Sequence, residues 1–187
     1  LHIYNTYETL DYYTNEEDRL NNSFSKGGEH ELNLAIELYG QALLKYCHNI
    51  LCDYYEAEDA VQMTFVKAYN KRQSFKTGTS LSAWLYRIAY TTCIDITRKR
   101  RFQIFSNKYE KKHEPIYDDT YINEELREAL LQLTPKDRAL VFSRILDEKE
   151  YSELEIIYDA SAATLRKRYE RAKKKLAKAL RKNQNEY

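Results

Sequence analysis

Between Thr164 and Lys182 the sequence places ten cations, Arg166, Lys167, Arg168, Arg171, Lys173, Lys174, Lys175, Lys178, Arg181 and Lys182, against the single acid Glu170. Leu165, Tyr169, Ala172, Leu176 and Leu180 recur at three and four residues through the same stretch, which predicts a helix with one apolar and one cationic face. Such a face offers contact with a polyanion rather than bond-making chemistry. A second basic run, Arg98-Lys99-Arg100-Arg101, ends another helical stretch, where the helix dipole alone would favour it. The carboxylates Glu56, Glu58 and Asp59 cluster, but no His or Lys stands near them and no apolar wall would raise a pKa. They suit the positive end of a helix instead. His48 and Cys52 lie four apart and could form one edge of a metal site, yet no second ligand pair stands at metal spacing. No catalytic constellation assembles, so the expectation is a non-enzyme without cofactor or metal.

The elements that must carry these cations can be read locally. Ser152 and Glu155 fit S-x-x-E, the pattern of a reciprocal cap, and predict a helix from about Glu153. Leu154, Ile157 and Tyr158 give it an apolar face, Tyr158-Asp159-Ala160-Ser161 make a short turn, and Ser161 can cap the basic helix. Two helices across a short turn form a helix-turn-helix, whose second member suits the major groove of DNA. The turn has no Gly, but Asp159 can adopt a left-handed backbone at modest cost.

Four Gly and two Pro in 187 residues leave few breakers, and helical spacing dominates. The predicted fold is all-α: two small helical domains joined by a polar linker, the C-terminal one containing the helix-turn-helix. Residues 1–30 are an acidic N-terminal arm, expected to be loose with a short helix near Glu16 to Leu20. Residues 31–102 form the first domain. There Leu34, Leu38, Ala42, Leu44, Cys47 and Leu51 mark one helix, and Ala57, Val61, Phe65, Ala68 and Tyr69 a second. Asp53-Tyr54-Tyr55 separates them. A polar loop from Asn70 to Ser80 follows, and Ser80 can cap a helix striped by Leu81, Trp84, Leu85, Ile88, Ala89 and Cys93, with Trp84 in the core. Residues 103–121 lose periodicity and form the linker. In 122–187, Thr134-Pro135 reads as a cap and first-turn proline ahead of Leu140, Val141 and Ile145.

Net charge is +1, but acidic and basic residues are segregated: residues 1–33 hold seven acids against Arg19 and Lys26, whereas the stretches near 98–112 and 164–182 are strongly basic. Cys47, Cys52 and Cys93 form no CxxC pair and are expected to be buried thiols in a reducing compartment. No apolar run approaches the roughly 18 residues of a membrane span, and no leader opens the chain. The expectation is a soluble, cytoplasmic protein without direct membrane insertion. The eighteen Tyr are dispersed, as amphipathic residues at core edges would be.

Three segments taken together resemble a known family. Glu58-Asp59-Ala60-Val61-Gln62-Met63-Thr64-Phe65 is similar to an E-D-hydrophobic-x-Q-x-x-F segment. Ser80-Leu81-Ser82-Ala83-Trp84-Leu85-Tyr86-Arg87-Ile88-Ala89, with Asp95 and Arg98, resembles S-F-x-x-W-L-x-x-I-A…D-x-x-R. Tyr151, Glu153, Thr164, Arg168, Arg171, Ala172 and Leu176 fit Y-x-E and T-V-K-S-R-x-x-R-A-x-x-x-L. In this order they resemble the extracytoplasmic-function (ECF) sigma factors of bacterial RNA polymerase. Thr91 stands where that family usually has Asn, and Asp159 and Ala163 where it usually has Gly.

The resemblance implies a specificity subunit that brings polymerase core to promoter DNA. Glu58, Asp59, Gln62 and Phe65 would bind the polymerase clamp. The loop with Phe75, Lys76 and Ser80 would hold a flipped base of the minus-ten element, while Arg87, Thr91, Arg98, Arg100 and Arg101 contact the nearby strand. At the minus-thirty-five element, Thr164, Arg166, Lys167 and Arg168 would lie at or near bases, and Arg171, Lys174 and Lys175 at phosphates. It also implies an anti-sigma partner, often membrane-anchored in the family. The other reading of the same basic helix is a stand-alone helix-turn-helix regulator.

Overall fold

A computed structural model describes residues 15–106 and 124–184, and among these every regular element is helical. The helices are α1 (15–23), α2 (Glu29–Leu51), α3 (Tyr54–Lys71), α4 (Leu81–Phe105), α5 (Glu124–Leu131), α6 (Pro135–Ile145), α7 (Tyr151–Tyr158) and α8 (Ala162–Gln184), with a 3-10 turn at Arg72–Ser74. Most of the expected linker, and residues 1–14 of the acidic arm, lie outside the described residues.

Local chemistry sets most boundaries. Asp53 accepts from the Glu56 amide at 3.0 Å and starts α3, so the break after α2 is a sharp corner at Cys52, whose backbone is left-handed. Ser80 accepts from the Ala83 amide at 3.1 Å, and Thr134 from the Asp137 amide at 3.2 Å ahead of Pro135, as the sequence predicts. α4 continues past Arg98–Arg101 to Phe105. The short helix expected near Glu16 to Leu20 forms over 15–23, but this part of the arm is not loose: Leu20 and Phe24 are fully buried, Phe24 edge-on to both Phe75 and Trp84. Burying side chains of this size is worth about 1.5–3 kcal/mol each, enough to hold a nine-residue helix that could not persist alone.

The two helical units are both present, and they pack directly on each other. Leu140, Phe142, Leu154, Ile157 and Leu165 join one hydrophobic cluster with Leu43, Tyr46, Ile50, Leu85 and Ala89. A smaller cluster of Cys52, Leu130, Leu133, Val141 and Ala172 sits beside it. At the seam, the Tyr158 hydroxyl lies 3.1 Å from that of Tyr46 and 2.9 Å from Ser143 Oγ, and the Tyr90 ring stands edge-on to Tyr158 at 4.8 Å. Burial pushes the Tyr46 and Tyr158 hydroxyls well above the usual tyrosine range, so both stay neutral hydrogen-bonding groups. Part of the tyrosine content thus has a role: these residues carry apolar area into the seam and satisfy one another there. Three guanidiniums converge on the C-terminal end of α2. Arg138 donates to Ile50 O at 2.7 Å, Arg100 to Leu51 O at 3.3 Å and Arg127 to Cys52 O at 3.4 Å, where the helix dipole favours positive charge. Cys47, Cys52 and Cys93 are buried free thiols, as expected.

Candidate nucleic-acid interface

α7 and α8 form the helix-turn-helix, with caps that differ from the sequence pattern. α7 starts at Tyr151, and Glu153, not Glu155, reaches back to accept from the Glu150 amide at 3.2 Å. Ser152 is inside the helix rather than its cap. Glu155 is used one helix later: its Oε1 accepts from the Ala162 amide at 2.6 Å, and Ser161 Oγ accepts from the Thr164 amide at 3.4 Å. Both satisfy donors at the start of α8. Asp159 holds the turn with φ 53° and ψ 49°, the left-handed conformation anticipated for it.

On α8, Thr164, Arg166, Lys167, Arg171, Lys174 and Lys175 are exposed. The Arg166 guanidinium stacks 4.6 Å from the centre of the Tyr151 ring, which fixes its direction without using its donors. Arg168 departs from the expected role. It points inward, and its Nε donates to Asp137 Oδ1 on α6 at 2.7 Å, with both side chains about three-quarters covered. Burial raises the Asp137 carboxyl, but hydrogen bonds from Thr134 and Arg168 outweigh it and hold the group below its usual value. Arg168 is therefore a brace that orients α8, not a group free to meet a base.

The expected minus-ten residues also divide. Phe75 is 4 % exposed and packs on Phe24 and Trp84, so it anchors the loop and cannot touch a base. Lys76, Thr77 and Thr79 are exposed at the loop tip, where Gly78 adopts φ 78°, and Ser80 is committed to capping α4. Arg87 donates to the Ile156 carbonyl at 3.0 Å and pairs with Asp159 at 3.3 Å, both on the helix-turn-helix. The Thr91 hydroxyl donates to the Arg87 and Ile88 carbonyls, Arg98 pairs with Asp95 at 3.0 Å in solvent, and Arg101 is exposed. Arg100 is turned away from this surface, bound to Glu56 at 2.9 Å and to Leu51 O, so its predicted phosphate contact does not fit.

A third surface is apolar. Between α2 and α3 runs a groove of about 590 Å³, lined by Leu32, Ile36, Leu44, Val61, Phe65 and Val66 with Glu58 and Gln62 among them. Three of the four residues expected to meet polymerase, Glu58, Gln62 and Phe65, thus come together, and Asp59 is exposed on the same helix. Sequence reasoning missed Ile36 and Val66, which line this groove and are 42 % and 60 % exposed. Their signal was present as apolar residues off the buried stripe, at positions where a solvated helix carries polar ones. Among the described residues no group of three His, Cys, Asp or Glu could hold a metal ion, and no helix is long and apolar enough to cross a membrane.

Comparison with known proteins matches this arrangement. Residues 35–103 match the Sigma-70 region 2 family and residues 123–176 the Sigma-70, region 4 family. The RNA polymerase sigma factor YlaC of Bacillus subtilis is 31 % identical over 157 residues, covering 79 % of this chain and 91 % of YlaC. The ECF RNA polymerase sigma factor SigW of the same organism is 26 % identical, covering 83 % and 92 %. The chain belongs to the ECF sigma factors. This sigma factor also shares its fold with solved relatives. RpoE from Bartonella quintana, in complex with the anti-sigma factor NepR, superposes with a TM-score of 0.68 at 25 % identity, covering 80 % of this chain and 96 % of that one. CnrH, in complex with the cytosolic domain of CnrY, gives 0.67 at 20 % identity, covering 88 % and 97 %. As a sigma factor, the protein directs core RNA polymerase to specific promoters and assists their opening. The region 2 match spans α2 to α4, so the nine residues of α1 lie outside it.

Proposed function

We propose that this sigma factor divides its task among three surfaces. The α2–α3 groove docks on polymerase, because its exposed apolar wall carries the acidic and amide residues of the family motif. The loop tip at Lys76, Thr77 and Thr79 receives a flipped base of the minus-ten element, with Arg87, Arg98 and Arg101 against nearby phosphates. The outer face of α8 reads the minus-thirty-five element, with Thr164, Arg166 and Lys167 near base edges and Arg171, Lys174 and Lys175 on phosphates. Functional boundaries follow as a region 2 domain over 31–102, a linker over 103–121 and a region 4 domain over 122–187. The protein acts in the cytoplasm as a specificity subunit without catalysis of its own.

The observation that carries the reading is the α8 face: Thr164, Arg166, Lys167, Arg171, Lys174 and Lys175 stand exposed on a helix whose inward Arg168 is braced to Asp137. The test is run-off transcription of bacterial genomic fragments by core polymerase with and without the protein. Discrete new transcripts sharing two upstream elements are expected. Sequence-specific duplex binding by the protein alone, without transcripts, would identify a stand-alone regulator instead.

An anti-sigma protein completes the proposed set of partners, supported by RpoE, which is solved in complex with the anti-sigma factor NepR. It competes with polymerase for the apolar groove. A pull-down in which polymerase and inhibitor are retained together on this sigma factor would sink that idea.

A further inference from the structure

We propose that Asn21, on α1, is a positioning residue for the base-reading loop. The inference rests on the reading of the 75–80 loop given above. That loop makes few hydrogen bonds of its own, and its tip is held from outside. The Gly78 amide donates to the Asn21 carbonyl at 3.0 Å, and the Leu81 amide donates to Asn21 Oδ1 at 2.8 Å. One residue therefore grips the loop at its tip and where it enters α4.

Both bonds join groups that regular structure leaves over. The Asn21 carbonyl belongs to the last turn of α1, and the Leu81 amide is the first of α4; neither has a partner within its own helix. Leu81 is fully buried, so water offers its amide no replacement. The Ser80 hydroxyl is directed to the Ala83 amide instead. Neighbouring contacts point the same way: Ser25 Oγ lies 3.1 Å from Thr77 Oγ1, Arg72 Nε donates to Gly27 O at 2.9 Å, and Phe24 packs on Phe75. The segment from α1 to Gly27 is the cradle of the loop, and Asn21 contributes its two backbone-directed bonds. A pocket for an unstacked base has to be preformed to discriminate, since base flipping already costs free energy. Asn21 supplies that preorganisation without touching DNA.

The experiment uses holoenzyme on a promoter found by run-off transcription, with all four bases placed in turn at the flipped minus-ten position. Open complex is read by permanganate reactivity. Asn21→Ala should lower the ratio between the best and worst base roughly tenfold, the scale of a buried donor left unpaired. Affinity for core polymerase should be unchanged. Asn21→Asp keeps an acceptor for Leu81 and should restore the ratio. If Asn21→Ala does not fold, Asn21→Gln, which keeps the amide but displaces its oxygen, takes its place with the same expected loss. Wild-type discrimination in Asn21→Ala or its replacement, or an equal loss in Asn21→Asp, overturns the proposal. A wild-type holoenzyme indifferent to that base overturns the loop reading itself, and the role of Asn21 with it.

Discussion

Arg138 on α6 reaches across the molecule to the last turn of α2, where its Nε donates to the Ile50 carbonyl at 2.7 Å while its Nη1 serves Leu130 O and Leu133 O. At 4 % exposure, one guanidinium thus satisfies carbonyls from both helical units. Arg138→Ala leaves these buried acceptors unpaired, and the protein should lose roughly 2–3 kcal/mol of stability. Urea unfolding with two probes, one in each unit, checks it. A midpoint shift worth under about half a kcal/mol would mean that water replaces the guanidinium.

The two faces of α8 call for opposite outcomes. Lys175 is exposed, so Lys175→Ala should weaken all promoters alike and reduce the slope of log K against log salt by about one. Arg168→Ala removes the brace to Asp137, so it should lower the melting temperature first and lose promoter binding through a displaced helix. Base preference at minus thirty-five should be altered by Lys167→Ala at unchanged melting temperature. Binding isotherms on promoter variants at several salt concentrations separate the three.

Two carboxylates give opposite pH dependences. Burial pushes the Asp147 carboxyl up, against a hydrogen bond from Tyr86. A raised carboxyl favours the folded state below the ordinary Asp value of about 3.9, and that contribution is lost as pH rises through the raised value. Asp147→Asn should therefore be more stable than the parent at neutral pH, with the advantage shrinking in acid. Asp137 is held low, so its contribution is present above the ordinary value and lost as pH falls through the depressed one. Asp137→Asn should be less stable at neutral pH and equal to the parent in strong acid. Denaturant midpoints across pH provide the check, and parallel curves for both variants would contradict it.

Val66 is 60 % exposed in the α2–α3 groove, so Val66→Glu should leave folding stability within about 0.5 kcal/mol. Its affinity for core polymerase should fall at least about tenfold, as for a charge placed in a docking surface. Equal retention of polymerase by the two proteins in a pull-down would remove the groove from the interface.

Features set by neighbouring residues are legible in the amino-acid sequence alone. Ser80, Thr134 and Ser161 cap helices because their hydroxyls need only an amide three positions on, and Asp159 takes the left-handed turn for equally local reasons. S-x-x-E at Ser152 misled because the pattern fits two registers: Glu153 and Glu155 are both used, one for α7 and one for α8. The short helix near Glu16 to Leu20 was legible, but its docking was not, since that rests on Leu20 and Phe24 alone, amid acidic residues. Arg100 and Arg168 looked like members of charge runs, and a run does not say which member turns inward. That depends on Glu56 and Asp137, which tertiary packing brings to them. The division into two helical units was readable from periodicity. Their shared core was not, because either face of a helix such as α7 could have met solvent.

The clasp between Arg87 and the end of α7 bears on how promoter affinity is measured. A phosphate that takes Arg87 must displace the Ile156 carbonyl and Asp159, so every such contact is an exchange rather than a gain. With 43 % and 82 % of the side chains in solvent, the ion pair itself is weak, and the packed seam behind it does most to hold the two units together. If only one molecule in about a hundred is open, apparent affinity for DNA falls about a hundredfold below that of the open form. Whatever holds the units apart returns that factor to every promoter equally. In the proposed division of surfaces, parting of the units would scale binding to every promoter alike, while the loop and α8 would rank promoters against one another.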